Sequence, residues 1–131
     1  MTRLAACCLM CGLAVALAGG ALAQDQAEAA GGSLRFLDKL TSETGDVTLS
    51  SGQVAQFGRL MVRLDSCRYP VENPAADATA HVTILDGTTQ AQLFSGWMLA
   101  SSPALSALDH PRYDVWVLAC VLPETAPVVA E

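Results

Sequence analysis

The chain has 131 residues, of which 7 are basic and 13 acidic, and its net charge at pH 7 is −6. This acidic balance argues against nucleic acid or an anionic membrane surface as a partner, because both require a basic face on the protein. The length allows one domain and is too short for two.

The first 23 residues have the three parts of a secretory signal peptide. Arg3 supplies a positive charge, residues 4–17 are almost wholly apolar, and residues 21–23 (ALA) have the small-x-small form of a cleavage site. The apolar run is short for a membrane span, and the lipobox-like LAAC at residues 4–7 does not follow the apolar run. We expect cleavage after Ala23 rather than a retained anchor or a lipoprotein. Removing these 23 residues and their one arginine from 131 leaves 108 residues with a net charge of −7.

Three of the five cysteines lie in the predicted signal, which leaves Cys67 and Cys120. Two cysteines in an exported chain most simply form one disulfide, although two buried free thiols are an alternative. A metal pair has little support, because His81 and His110 are isolated in the sequence and no further cysteine remains. We therefore expect a Cys67–Cys120 disulfide, no metal and no cofactor.

The segment ahead of the predicted domain is polar and small. Residues 24–33 (QDQAEAAGGS) predict a flexible lead-in, and a single domain is expected over residues 34–122. Asp38 lies inside the first apolar segment of that domain and needs a cation if it points inward. We expect a structural ion pair between Asp38 and one of three arginines: Arg59, Arg63 or Arg112.

Two strands are predicted in the first half of the domain beyond this segment. A strand over residues 47–49 ends at the turn residues SSG. Residues 60–64 alternate apolar and polar side chains, which is typical of a strand with one face in the core and one in water. Cys67 is out of phase with the inward set, so we expect a bulge or the end of the strand near Ser66.

The next part of the chain predicts a loop, two strands and the hairpin between them. Residues 68–78 carry two prolines and predict the loop. Residues 79–84 alternate again and lead into Asp86 and Gly87, a hairpin signal. The second strand of this hairpin is expected over residues 90–98.

The last part predicts one short helix and one strand. Ser102 followed by proline matches a helix start, and residues 104–108 can complete one or two turns before Pro111. Residues 113–122 are apolar on both alternating positions, as in a strand covered on both faces, and residues 123–131 predict a loose tail. Six or seven short strands and one short helix before the last strand predict an all-β domain, a small antiparallel sandwich or barrel.

Several motifs of this chain resemble a known family. They are LDKLT at residues 37–41, FGRL at 57–60, Cys67, and FSGWMLASSPALSALDHPRYDVWVLAC at 94–120. These motifs are similar to those of the domain of unknown function 2155 family. The resemblance implies an exported protein of a Gram-negative bacterium with one small domain, and hence a periplasmic location. It implies no activity, so it transfers no catalytic residue to this chain.

One enzymatic hypothesis is a hydrolase that uses His110 with Ser95 or Ser101, since a serine nucleophile needs a base and an orienting carboxylate. Two features weaken this hypothesis. Ser95 lacks the glycine two positions earlier that a nucleophile elbow needs, and Asp109 adjoins His110 too closely to orient its ring. The alternative interpretation of His110 is a turn before proline, with its ring bonded to nearby backbone.

The two tryptophans have different interpretations. Trp116 lies in the strand that is apolar on both faces and is expected in the core, whereas Trp97 is equally consistent with core and surface. We expect a non-catalytic binding or structural component of the cell envelope. Its partner would be an envelope protein, a peptide or a glycan, without nucleic acid and without stable membrane insertion. The expected binding residues are Trp97, Ser101, Ser102, His110 and Tyr113.

Overall fold

A computed structural model describes residues 25–108 and 110–123, and in these ranges the chain forms eight β-strands and no helix. The all-β class is therefore confirmed. The predicted signal peptide, Asp109 and residues 124–131 of the predicted tail lie outside the described residues. The strands are β1 (Gln26–Glu28), β2 (Gly31–Asp38), β3 (Glu43–Ser50), β4 (Val54–Phe57), β5 (Leu60–Pro70), β6 (Thr79–Asp86), β7 (Gln92–Leu99) and β8 (Tyr113–Cys120).

The strands form two antiparallel sheets that enclose one core. The large sheet has the order β1-β5-β6-β7, with β4 also paired to β5, and the small sheet has the order β3-β2-β8. Buried side chains alternate with half-buried or exposed ones along most of β2, β5, β6 and β8, so each sheet buries one face against the other. The architecture is sandwich-like, and its core includes Leu34, Phe36, Leu60, Val62, Leu64, Val82, Ile84, Val115 and Val117.

The predicted irregularity near Ser66 is a β-bulge in β5. Leu64 lies opposite Val82 and Ser66 lies opposite His81, which makes Asp65 an extra residue in β5. With an uninterrupted period of two, Ser66 would face the core and Cys67 would face solvent. The extra residue corrects the phase, so that Cys67 is fully buried.

The predicted disulfide joins the two sheets. Cys67 of β5 is bonded to Cys120 at the end of β8, and their Cα atoms are 5.7 Å apart. Gly32 of β2 lies beside this bridge, where a Cβ atom would come within 2.9 Å of the Cys67 Sγ. Glycine is required at this position because the strand backbone approaches the sulfur too closely for a side chain.

Two boundaries differ from the sequence-based expectation. Residues 24–33 are not a flexible lead-in where the structure describes them, because β1 pairs with the end of β5 and β2 begins at Gly31. The predicted loop over residues 68–78 begins later, since β5 continues to Pro70. β1 pairs with residues 68–70, which extends β5, and β2 begins at Gly31 because Gly31 and Gly32 pair with the end of β3.

The predicted helix after Ser102 is absent. The Leu105 amide donates to the Ser102 carbonyl at 3.1 Å, which closes a turn, and no helical segment follows. The helix start signal is present, but five residues cannot repay the cost of helix nucleation without burying an apolar face. Leu105 is 80% exposed whereas Leu108 is 3% exposed, so the two leucines do not form one buried face. No helix in the described ranges has the length and hydrophobicity needed to cross a membrane.

Trp116 is not in the core, contrary to expectation. Strand β8 buries Tyr113, Val115 and Val117 on its inner face, while its outer face is only half-buried. Trp116 lies on that outer face and lines a shallow groove of about 420 Å³ with Pro103, Ala104, Ala107 and Asp114. The apolar residues on the outer side of β8 had predicted a second buried face. Their neighbours are instead residues of the β7–β8 connection, such as Pro103 and Ala104.

Candidate functional site

The residues predicted to form one binding face lie at two ends of the molecule. Trp97 faces outward on β7, opposite His81 of β6, and Ser101 lies just beyond the end of β7. The Ser101 amide and hydroxyl both donate to Asp77, at 3.1 and 2.7 Å. Ser102 belongs to the turn that follows. These residues are near the end of the large sheet where β6 begins.

His110 and Tyr113 lie near the opposite end, where β6 finishes. Tyr113 is only 2% exposed, and its hydroxyl accepts a hydrogen bond from the Arg59 amide at 3.3 Å. The His110 Nδ1 accepts hydrogen bonds from the backbone amides of Arg112 and Tyr113, at 3.0 and 3.2 Å. The interpretation of His110 as a turn residue bonded to nearby backbone is therefore confirmed. The structure does not bring these two residues together with Trp97, and Tyr113 is a core residue.

The hydrolase hypothesis is wrong in its geometry. The hydroxyl of Ser101 is hydrogen-bonded to Asp77, and the hydroxyl of Ser95 lies 3.5 Å from that of Thr83. The His110 imidazole is held by backbone amides at the other end of the sandwich. Neither serine therefore has this histidine as a base, and a nucleophile without its base stays unreactive.

A different set of side chains does assemble, on the outer face of the large sheet, and Asp65 is at its centre. Its carboxylate accepts hydrogen bonds from the Arg63 Nε at 2.6 Å and from the Thr83 hydroxyl at 2.6 Å, and it contacts the His81 Nδ1 at 2.8 Å. Partial burial raises the pKa of Asp65, but the hydrogen bonds from Thr83, Arg63 and His81 outweigh this effect and hold the pKa below its ordinary value. Asp65 is therefore a carboxylate that fixes three neighbouring side chains.

The same set extends to Trp97 and Arg68. The rings of His81 and Trp97 meet edge to face, with centroids 5.2 Å apart and planes at 80°. The Arg68 guanidinium lies over the indole, 4.7 Å from its centroid, in a cation–π contact. We call this set the outer-face cluster, and its members are Arg63, Asp65, Arg68, His81, Thr83 and Trp97.

The outer-face cluster presents a fixed aromatic surface to solvent. Trp97 is 37% exposed although it contacts two other members of the cluster. Pairs of residues that are not hydrogen-bonded to each other across antiparallel strands have close side chains, which explains the contact of His81 with Trp97. The described residues contain no group of three or more His, Cys, Asp or Glu side chains arranged to hold a metal ion. The arrangement is suited to recognition, with an aromatic ring between hydrogen-bond donors.

Sequence reasoning identified one member of this cluster and considered His81 isolated. The predicted strand over residues 79–84 already placed His81 and Thr83 on one polar face, and the predicted bulge pointed to the region of Asp65. The missing information was the pairing of β6 with both β5 and β7, which brings these residues together from three separate strands.

The buried ion pair expected for Asp38 is also present, at the end of the small sheet. Asp38 is 5% exposed and accepts hydrogen bonds from the Arg112 Nε and Nη2 atoms, at 3.1 and 2.8 Å. The amides of Leu40 and Thr41 donate to the same carboxylate. The hydrogen bonds from Arg112, aided by those from the two amides, lower the pKa of Asp38 to about 2. This group secures the β2–β3 turn to the start of β8 and leaves no acceptor free for a ligand.

Comparison with known proteins places the chain in a family. A family model described as "Uncharacterized protein conserved in bacteria (DUF2155)" matches residues 32–120. The chain is also similar to "Uncharacterized protein RP359" of Rickettsia prowazekii (strain Madrid E), with 28% identity over 92 residues. That alignment covers 68% of this chain and 59% of the relative's length. No solved structure matches the chain significantly. Because the family model covers most of the chain, including every strand from β3 to β8 and nearly all of β2, this protein belongs to the DUF2155 family.

Proposed function

We propose that this protein is exported to the periplasm and acts there, without catalysis, as a binding domain for another component of the cell envelope. The observation that carries the proposal is the exposed indole of Trp97, held between His81 and Arg68 on the outer face of the large sheet. The N-terminal signal-like sequence and the disulfide support the location, since disulfides persist in oxidising compartments.

A rigid, partly exposed tryptophan is well suited to contribute binding energy. Burying its apolar surface against a partner is favourable, and tryptophan and arginine are the residues that most often dominate binding energy. Because His81 and Arg68 already restrict the indole, little side-chain entropy remains to be lost on binding. The outer-face cluster therefore has the character of an interaction hot spot, whereas a purely structural protein would have no need of it.

The charges of the cluster indicate the chemistry of the partner. Arg63 is neutralised by Asp65, but none of the ion pairs within residues 25–108 and 110–123 includes Arg68. The Arg68 guanidinium can therefore donate hydrogen bonds to a carboxylate of the partner while Trp97 contacts an apolar neighbour. We infer that the partner is an envelope protein, and that it presents an acidic residue beside an apolar one.

The test is crosslinking in intact cells followed by affinity purification, with Trp97→Ala compared against Trp116→Ala. Both variants keep the native signal sequence, so cell fractionation and the mass of the mature chain also report whether cleavage follows Ala23. Trp116 is the matched control, because it lies on the outer face of the other sheet. We expect Trp97→Ala to lose the crosslinked partner and Trp116→Ala to retain it.

Three results would contradict the proposal. One is a folded Trp97→Ala variant with an unchanged set of partners, and another is an equal loss of the partner in both variants. The third is capture of a glycan alone, released by glycosidase treatment, which would show that the partner is not a protein. Far-ultraviolet circular dichroism and a thermal melt of each variant confirm that the fold is intact before capture is compared.

A further inference from the structure

A cavity of about 250 Å³ lies at the end of the sandwich where β5 and β8 begin and β6 ends. Residues from three distant parts of the chain line it: Arg59, Leu60, Asp86, His110, Arg112 and Tyr113. Four of these six side chains carry N–H or O–H groups, and only Asp86 is an acid. The cavity is therefore rich in hydrogen-bond donors, although the chain as a whole is acidic.

The backbone decides which nitrogen of His110 is the donor. The Nδ1 atom accepts hydrogen bonds from the amides of Arg112 and Tyr113, at 3.0 and 3.2 Å. A ring nitrogen that accepts carries no hydrogen, so the hydrogen of the neutral imidazole is on Nε2. Within residues 25–108 and 110–123, the recorded bonds of this side chain all go to Nδ1. The Nε2–H group is therefore available to a ligand.

The Tyr113 hydroxyl is a second donor without an acceptor in the part of the chain that the structure describes. Tyr113 is 2% exposed, and its oxygen accepts a hydrogen bond from the Arg59 amide at 3.3 Å. Gly58 leaves room for this oxygen, since a Cβ atom there would lie 2.5 Å from it. The hydroxyl hydrogen still needs an acceptor, because a buried donor without one costs free energy. An acceptor oxygen in the cavity would remove that cost.

The two guanidinium groups differ in how firmly they are held. Arg112 donates from Nε and Nη2 to Asp38, at 3.1 and 2.8 Å. The Arg59 Nη2 lies 3.8 Å from the Asp86 carboxylate, too far for a hydrogen bond, and this side chain is 61% exposed. Arg59 can therefore turn its donors toward a ligand. Asp38 and Asp86 oppose a dianion such as phosphate, whereas the planar guanidinium matches a singly charged carboxylate.

We propose that this cavity binds a carboxylate group, either of a small organic acid or of the C-terminal end of a peptide. The carboxylate oxygens accept hydrogen bonds from the His110 Nε2, the Tyr113 hydroxyl and the Arg59 guanidinium. The site shares no residue with the outer-face cluster, so it is a second binding site and does not depend on the function proposed above.

The test is a titration of the mature chain with sodium acetate, followed by amide NMR spectroscopy and compared with sodium chloride at equal ionic strength. We expect acetate, but not chloride, to give saturable shifts of the Arg59, Arg112 and Tyr113 amides. Arg59→Gln removes the guanidinium, and His110→Asn keeps an acceptor near the position of Nδ1 but removes the Nε2–H donor. Each variant should bind acetate at least about tenfold more weakly, because hydrogen bonds to a charged group are strong.

Arg35→Gln is the matched control, because Arg35 is also a partly exposed arginine beside an aspartate but does not line the cavity. It is expected to bind acetate as the native chain does. A thermal melt of each variant shows that it is folded. If His110→Asn does not fold, Arg59→Gln decides alone, since its side chain is exposed.

Acetyl-dialanine with a free carboxylate, and the same peptide with a C-terminal amide, distinguish the two sources. Saturation by the free acid but not by the amide assigns the site to peptide ends, whereas saturation by acetate alone assigns it to small acids. Several results would overturn the proposal: no saturable shift, equal shifts with chloride, or tighter binding of phosphate than of acetate. Unchanged binding by folded Arg59→Gln, or an equal loss in Arg35→Gln, would also overturn it.

Discussion

Asp38 shows how one side chain can secure a corner of this fold. Its carboxylate is nearly buried, receives both donors of one edge of the Arg112 guanidinium, and also accepts two backbone amides. Arg35 and Asp46 form a bidentate pair of similar geometry, but both side chains are about half exposed. Exposed pairs contribute little because water screens them, whereas removing one partner of a buried pair leaves the other charge unsatisfied.

We predict that Asp38→Asn lowers the melting temperature clearly and that Asp46→Asn changes it little. The folded pKa of Asp38 is about 2, below its ordinary value of 3.8, so its contribution is complete above about pH 4 and is lost as the pH falls toward 2. Thermal melts between pH 2 and pH 7 provide the measurement. The stability difference between the native chain and Asp38→Asn should therefore shrink with acidification, and a difference independent of pH would contradict this assignment.

Strand β5 shows how one extra residue in an element sets what lies on each face. Asp65 occupies the bulge between Leu64 and Ser66. The bulge places the Asp65 carboxylate among the side chains of the outer face and keeps Cys67 in the core. The period-two alternation ahead of the bulge, at Leu60, Val62 and Leu64, was readable from the sequence because it needs only local information.

We predict that two single-residue deletions in β5 differ in how much they lower the free energy of unfolding. Deletion of Asp65 removes the extra residue, so Leu64 and Cys67 both keep their inward direction and the disulfide still forms. Deletion of Arg63 removes a charged residue of the same strand ahead of the bulge and turns Leu64 outward relative to Val62. This deletion should cost about 2 kcal/mol more, the transfer free energy of one buried leucine.

The deletion experiment is measured by urea unfolding, with free thiols counted by mass spectrometry. Equal stability of the two deletions would show that β5 has no defined bulge. Two free thiols in the Asp65 deletion variant would show that the bulge does not determine the inward direction of Cys67.

At the scale of the whole molecule, the disulfide is the covalent link between the sheets. The two sheets also share the apolar core and the hydrogen bond from the Arg59 amide to the Tyr113 hydroxyl, and the bridge joins β5 to the end of β8 across 53 positions of sequence. A crosslink between distant positions mainly restricts the unfolded chain, and longer loops give the larger effect.

We predict that Cys67→Ala combined with Cys120→Ala lowers the free energy of unfolding by about 4 kcal/mol, the chain-entropy value for a loop of this length. Equilibrium urea unfolding measures the change. Reductant should destabilise the native chain to a similar extent and have no effect on the double variant. Two free thiols in the native protein, or equal stability of the two forms, would refute the prediction.

The sequence by itself determined the fold class, the pair of bridging cysteines, the need of a buried Asp38 for an arginine partner and the alternation of β5 and β6. Each of these follows from local periodicity or from counting. The sequence alone did not determine the outer-face cluster, the position of Trp116 or the absence of a helix after Ser102. Those depend on which strands are neighbours and on what the β7–β8 connection covers. Only the tertiary structure decides this, because cross-strand contacts join residues that local patterns treat separately.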